Sequence, residues 1–162
     1  MRIRAPITCL LLIYALLYTA VGALAATVSV TVPSTVSFSV TDVHVATTGS
    51  PNPCQISFAD GSLGTGERLQ IGVKANAADF TTPGSGLAIA ASKVSWTVTG
   101  AQNGTGYAGT LSFVDFTTVF QSVADPTSGS VNLVWRLAAP GGGIRAGNHA
   151  LTLTWKFEAI SP

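Results

Sequence analysis

The chain has 162 residues, enough for one domain with a core of its own, and only 9% of them are charged. Eight Lys and Arg against seven Asp and Glu give a net charge of +1, and no basic run is present to draw in nucleic acid or an anionic membrane surface. So few charges beside 17 glycines and abundant Thr, Ser and Val argue against a cytosolic α/β enzyme and suit an extracellular β-rich domain.

The first residues read as an address. Arg2 and Arg4 form a basic n-region, Ile7 to Leu17 an apolar h-region, and Ala23-Leu24-Ala25 a small-residue cleavage site. That is the pattern of a secretory signal peptide, residues 1–25, cut between Ala25 and Ala26. The alternative is an uncleaved anchor, for which the apolar run is short. Cleavage removes Arg2 and Arg4, leaving six basic residues against seven acidic ones, a net charge of −1. Cys9 leaves as well, so Cys54 becomes a lone thiol, either a small buried hydrophobe or an intermolecular partner. Residues 26–162 then form a single domain, with no later apolar run of membrane length. The expected location is secreted, extracellular or at the cell surface.

Thr27 to Val32 alternates Thr or Ser with Val and predicts a half-buried strand that ends at Pro33. Val36, Phe38 and Val40 continue that period, but Val43 and Val45 are out of phase, which predicts a β-bulge at Thr41-Asp42. Thr47 to Pro53 reads as a loop, and Gln55 to Phe58 as a short strand before a turn at Asp60-Gly61. Glu67 to Ala75 sets Leu69, Ile71 and Val73 on one face, and Lys93 to Thr99 does the same with Val94, Trp96 and Val98. Between them Asn76 to Ala90 is loop-like, with room for one short helical turn. Gly100 to Gly109 reads as a glycine-rich connection, followed by β-prone runs at Leu111 to Phe113 and Phe116 to Val123 and a turn at Asp125-Pro126.

The last two runs are the most regular. Ser130 to Leu137 alternates Val131, Leu133, Trp135 and Leu137 with outward residues. Asn148 to Phe157 does so with Leu151, Leu153, Trp155 and Phe157. The loop Ala138 to Gly147 predicts a hairpin whose two strands share one apolar face. Short strands with Gly, Pro and Asn punctuation and no amphipathic helix predict an all-β fold. We expect an antiparallel β-sandwich of immunoglobulin-like or jelly-roll type with about eight or nine strands.

Catalytic signals are sparse. Gly104 to Gly109 fits G-x-G-x-x-G, but a β-prone run follows it where a dinucleotide site needs a helix N-terminus. His44 and His149 are far apart in sequence, no nucleophile elbow is present, and the aspartates fall mostly at turns. No cofactor, metal ligand set or catalytic residue is assigned, and the chain is read as non-enzymatic. Trp96, Trp135 and Trp155 lie on faces of Val and Leu, as core residues or as an aromatic surface. Tyr107, in the glycine-rich stretch, is a candidate exposed contact.

Trp135-Arg136-Leu137 is a W-x-L tripeptide, and Trp155-Lys156-Phe157 is close to a second, inside Ala146-Gly-Asn-His-Ala-Leu-Thr-Leu-Thr-Trp155. This ending is similar to that of WxL-type domains of bacterial surface proteins, and it also resembles pilus and spore-coat-like subunits. Phe157 stands in place of the family's Leu, and His149 stands near its usual Tyr. The resemblance covers about the last thirty residues. It implies an exported β-rich domain held non-covalently at the cell wall, with Trp135, Arg136, Leu137, Trp155, Lys156 and Phe157 as candidate attachment or assembly residues. The expected function is therefore that of an exported bacterial surface or filament structural protein, acting by attachment or by subunit assembly. Its partners would be further copies, other surface proteins or cell-wall glycan. A glycan- or cell-wall-binding module is the alternative, and a small hydrolase the more distant one. The run Ala26 to Val32 could pair within its own domain or be donated to a neighbour.

Overall fold

In a computed structural model, which describes residues 27–161, the chain is all-β. Its strands are β1 (Thr27–Thr31), β2 (Thr47–Thr48), β3 (Cys54–Ser62), β4 (Arg68–Ala75), β5 (Val94–Gln102), β6 (Gly104–Gly106), β7 (Gly109–Thr110), β8 (Thr117–Ser122), β9 (Gly129–Leu137) and β10 (Leu153–Ile160). One 3-10 turn, Ala91–Lys93, precedes β5. The strands make two antiparallel sheets in two layers. The first runs β1-β3-β9-β5-β7, with β2 also on β9, and the second runs β10-β4-β8-β6. Among the described residues no helix is long and apolar enough to cross a membrane.

The period of two explains the core. β9, central in the first sheet, buries Val131, Leu133, Trp135 and Leu137, and β4 in the second buries Leu69, Ile71, Val73 and Ala75. Each fully buried aliphatic side chain stabilises by about 1.5–3 kcal/mol relative to exposure. Phe58 of β3 and Phe120 of β8 join the layers, with ring centroids 6.0 Å apart.

The expected C-terminal hairpin does not form. β9 and β10 belong to different layers, so Trp135 and Trp155 reach the interior from opposite sheets. The connection after β9 is too long for a tight turn, and it is tied elsewhere. Ala138 N–H donates to the Lys93 carbonyl at 2.8 Å, Gly141 N–H to Val43 at 2.9 Å, and Ala150 bridges Thr81. β10 therefore lands on β4, paired without a break from Leu153↔Ala75 to Ile160↔Arg68.

Three further local expectations change. The phase slip after Val40 is a turn, not a strand bulge: Asp42 Oδ1 accepts the His44 N–H at 2.8 Å, and the Asp42 carbonyl accepts Val45 N–H at 3.2 Å. Asp60-Gly61 is no turn, because β3 runs through it. These two residues oppose the single Val28 of β1, which is a bulge, and the Gly61 N–H donates to Thr127 O at 3.1 Å. The stretch Gly100 to Gly109 is mostly strand. β5 extends to Gln102, Asn103 turns with φ 53, and β6 crosses to the second sheet.

Candidate functional site

The two layers do not close along one side. The first sheet ends there in β1 and the segment 33–43, which is attached by the Ser37↔Ser50 bridge, and the second ends in β10. Val36 and Phe38 continue the inward period of β1 and pack over Gly49, where any side chain would collide with Val36 Cγ1 at 2.7 Å and crowd the Trp135 Cβ at 3.2 Å. Across the gap stand Leu151, Leu153 and Trp155, all half-buried. Between these two rims lies an apolar groove of about 930 Å³ floored by Trp135 and Leu137. Among the described residues its only charged or titratable lining groups are Arg145 and His149.

Two polar atoms on residues lining this groove lack partners. The Trp135 indole N–H and His149 Nδ1 are buried without a hydrogen bond. His149 Nε2 lies 2.9 Å from the Arg145 carbonyl. A carbonyl can only accept, so Nε2 carries a proton and donates.

The candidate residues separate into interior and surface. Trp135 is 2% exposed and Leu137 is equally buried, while Arg136 between them points to solvent. Trp155 is half-buried in the rim, whereas Lys156 and Phe157 are exposed, Phe157 by 42%. Phe157 lies opposite Ile71 at the edge of the second sheet, where among the described residues it is only partly covered. On the opposite face Lys156 Nζ meets Glu158 Oε1 at 2.5 Å and lies 5.7 Å from the Phe116 ring centre. Tyr107 is 39% exposed, and its hydroxyl donates to Gln121 Oε1 at 3.0 Å. Ala25 and Ala26, the expected cleavage pair, lie outside the described residues.

Cys54 is fully buried opposite Leu133. Burial pushes its thiol up, and the nearby Trp135 indole opposes that in part. A disulfide to another molecule would require β3 to open.

The G-x-G-x-x-G stretch serves packing. A Cβ at Gly104 would stand 2.3 Å from Phe120 Cζ, at Gly106 2.7 Å from Val98 Cγ1, and at Gly109 2.7 Å from Trp96 Cζ2. The glycines let strands pass directly over core side chains. The carboxylates serve turns: Asp125 Oδ1 accepts Gly66 N–H at 2.7 Å, and Glu67 Oε2 accepts Gly64 N–H at 2.8 Å. Among the described residues neither histidine ring hydrogen-bonds to a serine or a carboxylate, and no cluster of three or more His, Cys, Asp or Glu could hold a metal.

Sequence reasoning missed most of the groove. Val36 and Phe38 were legible as an inward pair, but Ile144, alone in a glycine-rich loop, carries no periodic signal. No family model matches the chain, and no curated protein or solved structure matches it either. The fold is a two-layered antiparallel β-structure with one side open among the described residues.

Proposed function

We propose that this chain is an exported bacterial surface or filament structural protein that works by non-covalent attachment or subunit assembly. In this reading it is a non-enzymatic β-sandwich of immunoglobulin-like or jelly-roll type with eight or nine principal strands. The observation that carries the proposal is the open apolar groove bordered by an unpaired edge strand, β10. Such an edge offers main-chain hydrogen bonds to another chain, and such a groove offers the apolar area that makes the contact stable. The mostly apolar lining, with Arg145 and His149 at one stretch of it, suits an apolar segment.

The test is the behaviour of the exported protein, from Ala26 onward. Light scattering across concentration reads its self-association, and co-sedimentation with purified cell-wall material reads attachment. Either association or wall binding supports the proposal. A protein that does neither, yet turns over a small substrate, would overturn it.

Tyr107 favours a second reading, a glycan-binding module. Its ring is exposed and its hydroxyl is tethered to Gln121, which leaves a face for stacking on a sugar. Polysaccharide binding that disappears with Tyr107→Ala, in a protein that stays folded, would select it.

A further inference from the structure

β10 is unusual for an exposed edge. It is eight residues long, has no proline, and pairs with β4 without a bulge. Natural edges are commonly blunted by charged side chains, inward charges, bulges or prolines, and of these β10 has only the outward pair Lys156 and Glu158. The register sets Leu153, Trp155, Phe157 and Ala159 on the side of Ala75, Val73, Ile71 and Leu69 of β4; Leu153 and Trp155 are half-buried there, while Phe157 and Ala159 are exposed. Its only charges, Lys156 and Glu158, lie on the outward face on either side of Phe157.

That arrangement is self-complementary. Suppose a second copy of β10 pairs antiparallel with the first across a two-fold axis at Phe157. Phe157 then meets the second copy's Phe157, and Lys156 meets the second copy's Glu158, twice by symmetry. Trp155 comes opposite Ala159, a large residue against a small one. Moving the axis to position 156 sets two lysines face to face, and moving it to 158 sets two glutamates face to face, both unfavourable. A slip of one residue sets inward side chains of one copy against outward ones of the other. Of these arrangements, the axis at Phe157 alone sets opposite charges face to face and keeps the pleat in phase.

We propose that this face is a homodimer interface: β10 pairs with β10 of a second copy, centred on Phe157, so that the two second sheets become one. The proposal rests on the assembly reading above and names its partner and register. Pairing gives the free edge its hydrogen bonds, covers the exposed Phe157 ring, and brings the open sides of the two copies together over the seam.

The test uses the exported protein in sedimentation velocity across concentration, with far-UV spectra to check folding. Wild type is expected to be dimeric. Lys156→Glu and Glu158→Lys each set like charges across the axis and should weaken the dimer by about tenfold. The double exchange, Lys156→Glu with Glu158→Lys, should restore it. A Phe157→Cys change in a Cys54→Ala background should form a disulfide-linked dimer on mild oxidation, because paired Cα atoms in such a ladder sit about 4.5–5.5 Å apart. The same change at exposed Thr152 should not. Dimers that ignore both charge changes, or that form no crosslink at 157, overturn the β10 interface while leaving assembly through another surface standing. A monomer that still binds wall material also overturns it and leaves attachment standing.

Discussion

Trp96 of β5 and Trp135 of β9 are direct cross-strand partners with ring centroids 5.0 Å apart and planes inclined by 49°, yet only one indole N–H finds an oxygen acceptor. Trp96 Nε1 donates to the Tyr107 carbonyl at 2.8 Å, whereas Trp135 Nε1 is buried with no oxygen acceptor and only the Cys54 sulfur, a weak acceptor, near it. Replacement by phenylalanine removes similar volume at both sites, but only at Trp96 does it also break a hydrogen bond to a carbonyl. Trp96→Phe should therefore cost about 1 kcal/mol more than Trp135→Phe in urea unfolding. Equal costs would show that the Tyr107 bond contributes nothing.

Cys54 makes stability depend on alkaline pH. Its folded thiol titrates above the ordinary value of 9.0, because burial disfavours the thiolate. The stabilisation is complete below that ordinary value. It declines as pH rises through it, where the unfolded chain has released a proton that the folded chain keeps. The urea midpoint should fall between pH 8 and pH 10, roughly spanning that titration, and Cys54→Ala should flatten the slope while lowering overall stability. A slope unchanged by the substitution would assign the pH effect to other groups.

Among the described residues Ser122 is the one buried polar side chain, and its hydroxyl both accepts and donates. Its hydroxyl accepts the Leu69 N–H at 2.8 Å and donates to the Val123 carbonyl at 2.8 Å. Ser122→Ala strands the Leu69 amide where β4 begins. The expected loss is about 1–3 kcal/mol, with faster amide exchange at Leu69.

The glycines should separate by what lies above them. Gly104→Ala drives a methyl group into Phe120 Cζ at 2.3 Å and the Gln121 carbonyl oxygen at 2.4 Å. It should destabilise by about 1–3 kcal/mol or more. Gly142→Ala meets nothing within 4 Å and needs no left-handed backbone, so it should be close to neutral. Thermal melts of the two variants make the comparison, and equal melting temperatures would remove the packing explanation of the motif.

Alternation made the strands legible. Leu69-Ile71-Val73, Val94-Trp96 and Val131-Leu133-Trp135-Leu137 were readable as inward faces, and all of them are buried. A strand with one wet face must alternate in this way, so the pattern reflects a local physical requirement. Gly100 to Gly109 misled because glycine marks both a flexible connection and a strand crossing closely over Phe120 or Trp96. Local composition does not distinguish these two uses. Asp60-Gly61 misled for a similar reason: a turn and a bulge draw on the same residues.

By itself the chain determined that it is all-β and which residues of its central strands face inward, because these follow from period and composition. Only the tertiary structure decided that β9 and β10 part into different layers and that β10 becomes an edge. It also decided that Val36, Phe38 and Trp155 border an open groove. Strand partnership depends on contacts between residues distant in sequence, such as Trp155 with Val73 and Gly141 with Val43, and a period of two is satisfied equally well by any partner.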